Sequence, residues 1–177
     1  LGMDQRPGEG AWRTDTIMVV AIDYDANQVG VVSIPRDLWV EIPGYEYQFG
    51  RINQADFQGE YHKYPGGGPK LAADIIEANL GIPTQHWVRL RLEALPALLD
   101  ALGGVTVTLT CPLHELTPDP ADPNAYLTFD LPAGNVFLDG EAAAKFARYR
   151  YASSDFSRAR RQQQVIWAIR ERALQLN

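Results

Sequence analysis

One cysteine, Cys111, is all that 177 residues contain, so neither an intrachain disulfide nor a thiolate metal centre can be built. Histidine is nearly as scarce. His62, His86 and His114 are scattered without metal-ligand spacing, which points away from an imidazole-held metal. No apolar run approaches the roughly 20 residues a membrane-spanning helix needs. Net positive charge is missing as well: the balance is −6, which argues against broad nucleic-acid binding by field alone. Lysine is reduced to Lys63, Lys70 and Lys145, and the other 13 basic residues are arginine. Two readings cover that bias, bidentate phosphate recognition and a GC-rich genome. The hydrophobic share of 46% and charged share of 21% are those of an ordinary globular chain of one domain.

What is present is concentrated in Arg148 to Gln164, RYRYASSDFSRARRQQQ. Five arginines fall between Arg148 and Arg161 with no lysine among them. Ser154 or Asp155 caps a long helix that begins there. A helix N-terminus favours an anion, and Arg158, Arg161 and Gln162 would complete a phosphate seat. Arg158, Gln162, Val165 and Ile169 share one helical face. If the two apolar residues point inward, Arg158 and Gln162 face the interior or a cleft. An inward arginine needs a partner, either a bound phosphate or a buried carboxylate.

Leu1–Asp4 reads as the end of a strand, and on that reading a preceding membrane anchor is expected outside this sequence. Thr16–Ile22 is a short apolar run, expected as a strand buried on both faces, with Val29–Ile34 antiparallel to it. Trp39–Ile42 is a further short strand. A short helix follows Arg51 and fades by Tyr61. The triple glycine after Pro65 lacks the lysine and serine of a P-loop, so a flexible helix entry is expected. Lys70–Leu80 is helical and stops at Gly81. Trp87–Leu92 is a strand, Glu93–Leu102 a helix and Val105–Thr110 a strand. Four prolines in 111–128 predict an irregular excursion. Strand signals return in Phe129–Leu138, then the helix Glu141–Arg148. The fold class is α/β, a single layered domain over 1–177 with a central mixed β-sheet flanked by α-helices.

Four polar groups stand where strands end or helices begin: Asp4 with Arg6, Arg13 with Asp15, Arg36 with Asp37, and the arginine cluster. If the strands are neighbours, these groups meet at one edge of the sheet, where such sheets bind ligands. Carboxylates there suit Mg²⁺ and arginines suit phosphate oxygens.

These residues lie in segments that resemble the LytR–CpsA–Psr family of bacterial cell-wall enzymes. The segments are LGMDQR (1–6), WRTDTIMVV (12–20), VVSIPRDLWVEIPG (31–44), RINQADF (51–57), LGIPTQHWV (80–88), LPALLDALGGVTV (95–107), LDGEAAAKFARYR (138–150) and DFSRARRQQQVI (155–166). The resemblance implies an extracytoplasmic phosphotransferase. Its donor would be a glycopolymer of teichoic acid, capsule or arabinogalactan type on a polyprenyl-pyrophosphate carrier, and its acceptor peptidoglycan. It would act outside the bacterial plasma membrane, held there by an N-terminal helix. By motif, Asp4 and Asp15 match the metal-associated aspartates, for Mg²⁺ with Mn²⁺ as the alternative. Arg13, Arg36, Arg148, Arg150, Arg158 and Gln162 match pyrophosphate-binding positions, and Arg51 stands where the family more often has lysine. Arg36, Arg148 and Arg150 carry the transfer, with Asp37 or Asp155 as candidate base. Nucleic acid is not an expected partner. The competing reading is a non-catalytic module that binds polyprenyl phosphate or glycan.

Overall fold

The computed structural model describes residues 1–4, 10–44, 48–119, 121–122, 124–149 and 154–176. The chain divides into two compact units, Leu1–Leu92 and Glu93–Asn177.

The first unit runs β1 (Gly2–Asp4), β2 (Arg13–Asp23), β3 (Gln28–Ile34), β4 (Trp39–Glu41), β5 (Phe49–Arg51), a 3-10 turn (Ile52–Gln54), α1 (Ala55–Tyr61), α2 (Gly67–Leu80) and β6 (Leu90–Arg91). Four strands form a sheet in the order β3-β2-β1-β6. A tight turn at Asn27, in the left-handed region at φ 51°, makes β2 and β3 antiparallel. The crossover through α1 and α2 is long enough to make β6 parallel to β1. The sheet is therefore mixed, as expected. Ile17 and Ile34 pack with Leu71, Ile75 and Ile76 of α2 in one buried cluster.

Two expectations change here. The β2 strand is not buried on both faces, because Val20 and Ile22 are 47% and 54% exposed. Only its first half, around Ile17, reaches the core. The strand read at 87–92 shrinks to Leu90–Arg91.

The triple glycine starts α2, with Gly66 and Gly67 at φ 89° and 80°. Gly68 has a different role: a Cβ there would lie 1.9 Å from the Asp56 carbonyl oxygen. The glycine lets α2 approach α1. We expect Gly68→Ala to lower unfolding stability by about 1–3 kcal/mol through overpacking, read from urea melts; an unchanged midpoint would disprove that contact. Gly81 ends α2 in the left-handed region, as its sequence position predicts.

The second unit holds α3 (Leu95–Ala101), β7 (Val105–Leu109), β8 (Leu113–Pro118), β9 (Tyr126–Leu131), β10 (Gly134–Leu138), α4 (Gly140–Arg148) and α5 (Asp155–Leu174). Strand β7 pairs with β10, and β8 with β9, both antiparallel. Leu99, Val107, Leu138, Phe146 and Val165 share its core. The stretch read as irregular, 111–128, instead contributes β8 and the start of β9 to a hairpin. Among the described residues, no helix is long and apolar enough to cross a membrane.

Candidate functional site

Antiparallel pairing sets Ile17 opposite Ile34. Side chains just before Ile17 and just after Ile34 therefore gather at one end of the sheet. Asp4 opposes Arg13 across β1 and β2, and the register shifts just after it, so that Asp15 falls at a bulge between Thr14, opposite Met3, and Thr16, opposite Gly2. Past Ile34, Arg36 Nη1 meets Asp15 Oδ2 at 2.9 Å. Arg36 Nε lies 3.5 Å from Asp37 Oδ2. Arg51 Nη1 reaches Asp37 Oδ1 at 3.1 Å. The four residues form one alternating chain of charge, Asp15–Arg36–Asp37–Arg51.

Backbone hydrogen bonds hold this chain in place. Ile52 N–H donates to Leu38 O at 2.9 Å and Asn53 N–H to Arg36 O at 3.2 Å. Thr14 Oγ1 donates to Asn53 O at 3.3 Å. The 3-10 turn is thus fastened to both the start of β2 and the segment after β3. Asn53 Nδ2 donates to Asp15 Oδ1 at 3.4 Å.

Two buried polar atoms in this arrangement have no hydrogen-bond partner among the described residues: the Arg36 Nε donor and the Asn53 Oδ1 acceptor. A buried orphan costs about 1–3 kcal/mol, and such atoms in a folded chain call for an explanation. Beside them opens a cleft of about 530 Å³, lined by Arg13, Trp39, Phe49, Arg51, Asn53 and Gln54.

The donor set also suits a hard cation. Asp4 pairs with Arg13, two residues before Asp15 on the neighbouring strand. Among the described residues, no group of three or more His, Cys, Asp or Glu side chains could hold a metal. One or two carboxylates completed by water and substrate phosphate is the set Mg²⁺ takes, so the two aspartates fit it.

In the second unit, Ser154 rather than Asp155 caps α5: its Oγ accepts from Ser157 N–H at 3.3 Å. Asp155 instead pairs with Arg158 Nη2 at 3.0 Å. Arg148 is the exposed last residue of α4. Arg150 lies outside the described residues. Gln162 Nε2 donates to Ala147 O at 3.2 Å, so it braces the helix that ends at Arg148.

The arginine that meets a buried carboxylate is Arg161, not Arg158. Arg161 Nη2 lies 3.3 Å from Oε1 of Glu115, which is 1% exposed. Arg161 also donates from Nε to Phe146 O at 2.8 Å and from Nη2 to Tyr149 O. Burial pushes its pKa down and the Glu115 charge pulls it back up. Arg161 is therefore built into the fold, which removes it from the phosphate seat read from the sequence.

The structure thus brings Asp15, Arg36, Asp37 and Arg51 into contact, with Asp4 and Arg13 on the adjoining strands. In the other unit it pairs Asp155 with Arg158. Sequence reasoning missed Asn53 and Trp39 as site residues. Asn53 was within reach as the polar centre of RINQADF, but an uncharged amide gives no electrostatic signal. Trp39 was legible only as a strand residue.

Comparisons with known proteins identify the family. The model of the LytR_cpsA_psr family matches residues 1–177. A polyisoprenyl-teichoic acid–peptidoglycan teichoic acid transferase, TagU of Enterococcus faecalis, is 34% identical over 183 residues, covering 99% of this chain and 52% of that protein. The chain spans about half the length of the curated relatives it matches. The structure of TagT bound to LIIa-WTA superimposes with a TM-score of 0.71 at 28% identity, covering 98% of this chain and 61% of that one. A second, the family protein YwtF (TagT) with bound octaprenyl pyrophosphate lipid, gives 0.65 at 26% identity, covering 91% and 60%.

Proposed function

The chain belongs to the LytR–CpsA–Psr family, and from that premise we propose that it transfers a glycopolymer from a polyprenyl-pyrophosphate carrier to peptidoglycan, on the outer side of the bacterial plasma membrane. The observation that carries the reading is the Asp15–Arg36–Asp37–Arg51 chain, in which two carboxylates hold two guanidiniums together. The lipid in the TagT structure carries a pyrophosphate, the type of group such guanidiniums hold.

Arg36 and Arg51 bind phosphate oxygens from fixed positions, because Asp37 ties them together and Asp15 ties Arg36 to the sheet. Arg13 adds a further guanidinium from β2. In the second unit, Arg148, Arg150, Arg158 and Gln162 match pyrophosphate-binding positions of the family by motif. Guanidiniums preorganised in this way stabilise charge that grows in the transition state. An acceptor hydroxyl of peptidoglycan attacks the sugar-linked phosphorus. The new O–P bond forms as the bond to the prenyl phosphate breaks, and the hydroxyl proton passes to a carboxylate, Asp37 or Asp155. Asp4 and Asp15 would hold Mg²⁺, or Mn²⁺ in its place, which when bound neutralises pyrophosphate charge.

The direct test incubates the protein with a glycopolymer on prenyl pyrophosphate and with peptidoglycan. We expect polymer to become acid-labile on the wall fraction, transfer to stop with EDTA, and Mg²⁺ to restore it. A protein that binds the lipid yet moves no polymer with Mg²⁺ present would be a binding module instead.

A further inference from the structure

We propose that Trp12 and Asp56 are positioning residues for Arg13: a buried carboxylate of α1 grips the indole that precedes this arginine in the chain, and so fixes where its guanidinium starts. Asp56 is 0% exposed. Its Oδ2 accepts from Trp12 Nε1 at 2.6 Å. Arg89 Nη1 donates to Asp56 Oδ1 at 3.0 Å and to Oδ2 at 3.3 Å, and it meets Glu60 Oε1 at 3.0 Å. The same guanidinium stands 5.9 Å from the centre of the Trp12 ring. Phe57 meets that ring edge-to-face, with centres 5.1 Å apart. Trp12 is thus held by a hydrogen bond, a cation over its face and an aromatic neighbour. Nothing in the phosphate reading uses this cluster. A buried ion pair is also a weak source of stability, because desolvation offsets the attraction. What it supplies here is direction. A carboxylate only accepts and an indole N–H only donates, so Trp12 has one seat.

A second tie follows on the other side of Arg13. Thr14 is 0% exposed, and its Oγ1 donates to Asn53 O at 3.3 Å. Arg13, between the two ties, is exposed. The 3-10 turn passes directly into α1, so Ile52 to Tyr61 is one continuous piece, and Arg51 stands immediately before it. Trp12 and Thr14 therefore fasten Arg13 to the same piece of backbone that Arg51 leads into. Both arginines line the cleft beside the sheet, yet they come from different elements. The two ties set their separation. A guanidinium mounted in this way has less freedom to lose when phosphate binds than one on a loose strand end, and small displacements of a binding group are costly to a reaction that needs alignment.

The positioning role rests on the reading of Arg13 as a phosphate ligand, and binding measured without turnover keeps it separate from transfer. A sugar-free polyprenyl pyrophosphate is titrated into the unaltered chain, Trp12→Phe, Arg13→Ala and the double variant. Trp12→Phe keeps a ring against Phe57 and removes the N–H that Asp56 holds. Each titration is run well below the unfolding midpoint of the variant, so lost stability does not enter the affinity. We expect Arg13→Ala to weaken binding about tenfold and Trp12→Phe about three- to tenfold. The double variant should bind no worse than Arg13→Ala alone, because contacts that act through one group are not additive. A merely structural role of Trp12 would not produce that coupling. If Trp12→Phe binds as the unaltered protein does, or the two losses multiply in the double variant, the positioning role is overturned while Arg13 keeps its phosphate. If Arg13→Ala binds unchanged, the phosphate role of Arg13 falls and the positioning role falls with it. Coupling in a protein that never moves polymer would leave the positioning role standing and remove the transferase reading.

Discussion

Glu115→Ala is expected to cost the fold about 3–5 kcal/mol, the loss that follows when one partner of a buried ion pair is removed. The reason is the charge left behind. Arg161 is buried, and burial pushes its pKa down against the opposing pull of Glu115. Glu115 is the carboxylate placed to offset this, at 3.3 Å. Without it, the guanidinium still meets the carbonyls of Phe146 and Tyr149, but a carbonyl carries no compensating charge. Total stabilities of natural domains are about 5–15 kcal/mol, so a large share of the margin is at stake. Joint replacement, Glu115→Leu with Arg161→Met, should regain much of the loss, because no unpaired charge remains. It should not regain all of it, since the helix-end hydrogen bonds go too. Urea denaturation of the three proteins decides the matter. A single variant within about 0.5 kcal/mol of the original, the size of an ordinary surface change, would mean the pair contributes nothing.

Arg36→Ala is expected to lower the rate of polymer transfer by about 100- to 1,000-fold or more, the scale for losing one preorganised transition-state donor. Arg36 also bridges Asp15 and Asp37, so its loss frees both carboxylates, including the one that holds Arg51. Arg36→Lys should not rescue the rate, because an ammonium cannot engage Asp15, Asp37 and phosphate through one planar fork. Stability should change little, by about 0–1 kcal/mol, since these ion pairs are partly exposed. Full turnover by the alanine variant, with an unchanged melt, would remove Arg36 from the mechanism.

The two variants mark what could and could not be read from the residues alone. Arg36 was legible because a strand signal ends at Ile34 and a charged pair follows at once. Turn chemistry and apolar runs located the β2–β3 hairpin, the glycine exit of α2 and the start of α5 for the same reason: each is a local preference. Glu115 was not legible. Its strand alternates the wrong way, with Glu115 buried and Leu116 exposed. That pattern makes sense only once Arg161, far along the chain, provides the partner. Prolines around it reinforced the irregular reading, although Pro118 stands at the end of β8, where the missing N–H is tolerated. Asn53 was hidden for a related reason. Its significance lies in an unmet hydrogen bond, and a sequence does not display unmet bonds.

The way α4 ends has a consequence for how the molecule is made. Tyr149 leaves the helix in extended conformation, with no glycine to turn the chain back. The carbonyls at that end are taken instead by Arg161 and Gln162, which a ribosome adds more than ten residues later. Until they arrive, the boundary of α4 is undefined and the Arg148 guanidinium has no fixed origin. A chain stalled before residue 161 should therefore show a frayed α4 even with its own sequence complete, and this half of the protein should acquire order only when its last helix docks.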